Sequence, residues 1–198
     1  MKNILLPTDF SDNSWNAIQY ALQLFKDQKC TFHLLNVYTP IIYDIQYFEV
    51  GAAQAGLIDA MKETSKKGLD KLLAKINKSF KNKNHTFSTI SSFNTLEREI
   101  AELYHGNIVD FIVMGTQGAS GLKEVLFGSN TVHVIKNTKC PVLAIPSNFT
   151  FETPIEILFP SDYEIDFQDK HIKPIKNLAA LFNTRINILN ASFGYPLS

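Results

Sequence analysis

"NIVDFIVMGTQGASGLKEVLFGSN", residues 107–130, carries the pattern on which the fold turns. A mostly apolar run through Ile108 and Met114 leads into a stretch holding four of the chain's nine glycines, Gly115, Gly118, Gly121 and Gly128. A strand apolar along most of its length belongs in the middle of a parallel sheet, covered by helices on both faces. Glycine just beyond such a strand lets the backbone turn with positive φ and lets a ligand approach the main chain. The cluster therefore reads as a phosphate cradle.

Working outward, strands and helices alternate. "NILL" stops at Pro7, after which Ser11 or Asp12 caps a helix whose Trp15, Ile18, Leu22 and Phe25 recur three and four apart. "CTFHLLNV" is a buried strand, followed by a loop rich in Tyr and Ile and by a long lysine-bearing helix from about Ala52 to Lys81. "HTFSTIS" is a third strand, and "NTLEREIAELYHG" a helix capped by Asn94, with Glu97 three residues on and Gly106 ending it. Ser129 opens a helix with Val132, Ile135 and Lys136, and "CPVLAIP" is the fifth strand. Such alternation predicts an α/β fold, an open parallel five-stranded sheet with helices on both faces. Ligands of these sheets bind at the carboxyl ends of strands where the strand order reverses, which singles out "PTDFS" after the first strand and "GTQGASG" after the fourth. Alternation alone leaves the strand order open.

The glycine stretch fits neither standard phosphate motif. Lys123 follows Leu122 and precedes Glu124, so there is no GK[ST], and the glycines follow the fourth strand where a dinucleotide fingerprint follows the first. What remains is a site in two parts. Gly115 and Gly118 permit close backbone approach, and Gly128, Ser129 and Asn130 begin the next helix, where unpaired N–H groups and the macrodipole suit an anion. Leu122, Val125, Leu126 and Phe127, between the halves, are expected to pack the loop down as a lid.

Gly115, Gly118, Gly128 and Ser129 match the pattern Gly, two residues, Gly, nine residues, Gly, Ser or Thr. Together with "LLPTDFSDNSWNAIQYAL", "HLLNV" and "KCPVLAIP", they make residues 1–146 resemble the nucleotide-binding branch of the universal stress protein family. The resemblance implies strand order 3-2-1-4-5, an adenine nucleotide alpha hydrolase-like fold, and ATP, with or without Mg2+, as ligand. It would put Asp9 and the main chain of Val37 at the adenine and ribose end. Met114, Gly115 and Gly118 would serve the ribose and α-phosphate, and Gly128, Ser129 and Asn130 the β- and γ-phosphates. Asn36 stands where the family commonly has histidine. Since Val37 would act through its backbone, little is lost.

Composition narrows the function classes. Lys plus Arg and Asp plus Glu number 19 each, so no overall field favours nucleic acid or an anionic membrane. The lysines between Lys62 and Lys83 read as a solvated helix face. Cys30 and Cys140 lack any CxxC spacing and suit buried thiols in a reducing cytoplasm, the expected location. The five histidines lack metal spacing, and only His133, one turn past Ser129, could approach a phosphate. Beside the cradle only Asp9, Thr116 and Ser129 could hold a metal or orient a nucleophile, and no base is evident. The expectation is an ATP-binding sensor or switch of the stress response with little turnover and no catalytic residues. Its rivals are a slow ATPase or nucleotidyl-transferring enzyme, and a scaffold with a vestigial site.

The chain also repeats itself. "PIEILFPSDYEID" matches "KNILLPTDFSDN", and "IKPIKNLAALFNTRINILNAS" matches "NAIQYALQLFKDQKCTFHLLNV". The expected organisation is a domain at 1–146, a linker at 147–154 and a partial second repeat at 155–198 without a glycine loop. A segment that small cannot bury a core alone, and its abrupt end at "GYPLS" points to a longer tandem protein. The edge strand at 141–146 is expected to pair in a homodimer or an intramolecular pseudo-dimer.

Overall fold

The computed structural model describes residues 2–39, 52–117 and 128–190. The chain separates into two compact units, Met1–Phe151 and Glu152–Ser198. In the first unit β1 (Lys2–Pro7), α1 (Asp12–Leu24), β2 (Cys30–Val37), α2 (Ala52–Ser79), β3 (His85–Ser92), α3 (Leu96–His105), β4 (Phe111–Gly115), α4 (Ser129–Asn137) and β5 (Val142–Ile145) follow one another. The strands form one parallel sheet in the order β3-β2-β1-β4-β5, as the family resemblance implied. Chain direction across the sheet reverses between β1 and β4, and their carboxyl ends flank the switch point.

The apolar pattern accounts for the layers. Ile4, Leu5 and Leu6 of β1 and Ile112 and Val113 of β4 are almost wholly buried, as central strands covered on both faces must be. On one face Leu5, Leu35, Ile112 and Met114 meet Ile100 and Leu103 of α3 and Val134 of α4. The other face is covered by α1 and α2, with Ile18, Leu22, Leu69 and Ile76 buried. Trp15 sits at the rim of this layer, with the Lys75 ammonium 3.8 Å from its ring centroid and Phe80 against its edge.

One helix start differs from the sequence expectation, while α4 begins at Ser129 as expected. The N-cap of α3 is Thr95, without a side-chain cap bond, whereas Asn94 donates to Glu99 Oε2 at 3.1 Å beside Ser92 Oγ at 2.6 Å. A buried carboxylate has drawn Asn94 away from capping. In α4 the buried positions are Thr131 and Val134, while Ile135 is exposed. Of the aromatics after β2, Tyr38 tilts against Phe93, and Tyr43, Tyr47 and Phe48 lie outside the described residues, as do Leu122, Val125, Leu126 and Phe127.

The second unit comprises β6 (Glu156–Ser161), α5 (Asp169–Phe182) and β7 (Arg185–Asn190), with β6 and β7 paired in parallel. Its first turn reproduces that of the first unit atom for atom. Phe10 and Tyr163 both have positive φ, 64° and 62°. The Phe10 N–H donates to Thr8 Oγ1, and the Tyr163 N–H to Ser161 Oγ, each at 3.0 Å. Asp9 Oδ1 accepts from the Ser11 N–H and Asp162 Oδ1 from the Glu164 N–H, again each at 3.0 Å. Among the described residues no helix is long and apolar enough to cross a membrane.

Candidate functional site

A cleft of about 350 Å³ opens at the switch point. The turn after β1 forms one wall. Thr8 N–H donates to Leu35 O at 2.8 Å, and Asn36 Nδ2 donates to Thr8 O at 2.7 Å, which ties the turn to the end of β2. Ser14 Oγ gives its proton to Ser11 O at 2.9 Å, so the hydroxyl contact between Thr8 and Ser14, also 2.9 Å, has Thr8 as donor. Ser11 caps α1, accepting from the Ser14 N–H. Asp9 is thereby freed from capping. Its Oδ1 accepts from Ser11 N–H and Oγ, at 3.0 and 2.5 Å, and the exposed carboxylate borders the cleft. Phe10, held at positive φ, lays its ring over Gly68 of α2, where a Cβ would overlap it.

The opposite wall is the end of β4 and the start of α4. Gly128 N–H donates to Thr116 O at 2.6 Å, and Thr131 Oγ1 donates to Gly115 O at 2.9 Å. These two bonds pin the roots of the glycine loop side by side. Gly128 is the N-cap of α4 and brings no side chain to it, and no acidic residue lies in the first turn. Val132 N–H already donates to Gly128 O at 3.1 Å. The amides of Ser129, Asn130 and Thr131 therefore head a helix without intrahelical partners, at the positive end of its dipole. All three residues line the cleft.

Of the residues singled out from sequence, Asp9, Val37, Met114, Gly115, Gly128, Ser129 and Asn130 all line this one cleft. Gly118 lies outside the described residues. Two of them play parts that spacing did not disclose. A Cβ on Gly115 would stand 2.6 Å from Asn13 Nδ2 and 3.1 Å from Asn13 O, so the missing side chain there admits α1. The N–H of Gly128 is committed to Thr116, so the anion-facing amides begin one residue later. His133 is exposed on α4 and does not line the cleft. Thr8, Ser14, Asn36 and Thr131 were missed. Their signal was hydroxyl and amide side chains at strand ends and first helical turns, where such groups bond to the main chain.

Asp9 is the sole carboxylate among the described lining residues, and those residues include no histidine or cysteine. Nowhere among the described residues do three or more His, Cys, Asp or Glu cluster as for a metal ion. The described geometry can neutralise and orient an anion, and among the described lining residues there is no acid–base pair.

Comparison with known proteins bears on the family and the fold. The profile of the Universal stress protein family matches residues 1–146. Universal stress protein MJ0531 of Methanocaldococcus jannaschii is 33% identical over 144 residues, which are 73% of this chain and 81% of that protein. The solved structure of MJ0577 from the same organism superposes with TM-score 0.61 at 25% identity, covering 74% of this chain and 96% of that one. A universal stress protein from Archaeoglobus fulgidus shares the fold over 98% of this chain and 68% of its own, with TM-score 0.66 and 22% identity.

Proposed function

The chain belongs to the universal stress protein family, and from that premise we propose that the cleft between β1 and β4 binds ATP, or another adenine nucleotide, and that the protein acts as a nucleotide-dependent switch with little turnover. The observation that carries the reading is the uncapped head of α4, facing the cleft without a side-chain cap among the described residues. A helix start whose first three amides have no partner among the described residues favours an anion, and a nucleotide is a ligand that can set its phosphates there while its nucleoside reaches across to Asp9. In this reading the amides of Ser129 and Asn130 and the Ser129 hydroxyl hold the distal phosphates, Gly115 and Gly118 border the ribose and α-phosphate, and Asp9 with the Val37 main chain takes the nucleoside. A Mg2+ would come with the nucleotide, and among the described lining residues the Ser129 hydroxyl is the group beside the distal phosphates in this reading. The single acid and the absence of a histidine or second carboxylate among the described lining residues favour binding over phosphoryl transfer.

Titration of the purified chain with ATP, ADP and AMP by calorimetry tests the proposal. ATP is expected to bind, to remain intact when recovered, and to lose at least tenfold in affinity on Asp9→Ala. Failure of all three nucleotides to bind overturns it. We infer further that residues 155–198 are a partial second repeat, joined by a linker at 147–154, which the duplicated turn at Ser161, Asp162 and Tyr163 supports. Pairing through β5, an edge strand of the sheet, in a homodimer or an intramolecular pseudo-dimer belongs to the same proposal.

A further inference from the structure

We propose that Ser147 and Asn13 are positioning residues that fix the root of the glycine loop, and through it the anion-facing end of the cleft; this rests on the nucleotide reading of that cleft. Asn13, in the first turn of α1, lies against the bare α-carbon of Gly115. Its Nδ2 donates to the main-chain oxygen of Gln117, the last described residue before the loop. Ser147, just beyond β5, closes the triangle. Its hydroxyl is 2.9 Å from Gln117 Oε1 and 3.2 Å from Asn13 Oδ1, so one donor serves both acceptors.

The chain that bears Ser147 is itself fastened. Asn16 Nδ2 donates to Pro146 O and Phe149 O, both at 3.3 Å, and Tyr20 packs on Phe149 and Phe151. One face of α1 thus holds the segment after β5 with Asn16 and Tyr20, and holds the loop root with Asn13. Gln117 lines the cleft and stands next to Thr116, whose carbonyl accepts from Gly128 N–H at the head of α4. Loosening Ser147 should therefore reach the α4 amides through Gln117 and Thr116, without any contact between Ser147 and ligand.

The test uses the full chain and three forms, wild type, Ser147→Ala and Ser147→Thr, with two readouts. One is hydrogen exchange at the Gly128 amide in nucleotide-free protein, and the other is release of a fluorescent N-methylanthraniloyl ATP by stopped flow. Ser147→Ala is expected to speed both by about three- to tenfold, the scale of one lost hydrogen bond, and Ser147→Thr, which keeps the hydroxyl, to restore both. Unchanged exchange in Ser147→Ala overturns the proposal. Faster exchange with unchanged release overturns it as well, because the bond would then be structural only. If wild type binds no labelled ATP while exchange still quickens and recovers, the positioning of the loop root stands and the nucleotide reading falls.

Discussion

At Gly115 the sequence marks the right residue for an incomplete reason. Its place after an apolar strand announces a turn or a ligand, but what the backbone needs there is room for Asn13, a residue of another element far away in the chain. No spacing rule pairs the two. Gly115→Ala is expected to push α1 off the end of β4, costing about 1–3 kcal/mol of stability by overpacking and weakening nucleotide affinity together with it; a urea titration and calorimetry on the same variant check both. Two side chains, the half-buried His33 and the buried Cys140, set pH limits. His33 Nδ1 is 2.7 Å from Ser88 Oγ, while its buried Nε2 has no partner, and burial holds the ring's pKa below its ordinary 6.5 despite the opposing pull of Asp110. A depressed pKa adds stability above pH 6.5 that is lost as pH falls below it. The urea midpoint is thus expected to drop on going from pH 7.5 to 5.5, and to drop less in His33→Asn. Burial, seconded by Asp110, pushes the Cys140 thiol from 9.0 up to about 12. Its thiol form should contribute stability up to about pH 9 that is lost toward pH 12. Alkylation of native protein at pH 8 is expected to spare Cys140, as mass spectrometry would show.

Among the elements, the two helices that border the cleft differ in how they begin. α1 is capped by Ser11, and α4 starts at Gly128 with no side chain over its first amides. A helix that starts on glycine gives up roughly a few tenths of a kcal/mol against a Ser or Asp cap, together with the charge compensation of an acidic first turn. Ser129→Glu should recover part of it. A carboxylate in the first turn is expected to raise stability by about 0.3–1 kcal/mol through the helix dipole, and to lower ATP affinity by at least tenfold through charge repulsion. Thermal unfolding and calorimetry moving in opposite directions would tie the open helix start to ligand; parallel movement, or none, would break that tie. The existence and type of β1 through β5 were legible because buried parallel strands and amphipathic helices write their period into local sequence. Cap positions were less so. Asn94 has the composition of an N-cap, yet the buried Glu99 carboxylate claims its side chain and the helix begins one residue later. The strand order came from the motif resemblance, since adjacency of β1 and β4 is a long-range relation that no local pattern encodes.

For the molecule as a whole, the two units repeat a turn but differ in what covers their strands. Leu5, beside β4 and under α3 and α4, is fully buried, whereas Leu158, its counterpart in β6, is 60% exposed. In β2, Leu34 and Leu35 are buried; in β7, Ile188 and Leu189 are 62% and 48% exposed. The second unit thus presents as surface the positions that the first uses as core, while the first holds its sheet, α1 to α4 and every described residue of the cleft within Met1–Phe151. Two consequences separate cleanly on cutting the chain after Phe151. The fragment 1–151 is expected to fold cooperatively and to bind ATP within about twofold of the full chain, because every described residue of the cleft is retained. Self-association is the more informative readout. If copies meet through the exposed apolar positions of β6 and β7, the full chain will associate with rising concentration in light scattering, Leu158→Lys with Ile188→Lys will suppress it, and the fragment will be monomeric. If they meet through β5, the fragment will dimerise as the full chain does and the double substitution will change nothing, leaving the edge of the first sheet as the interface.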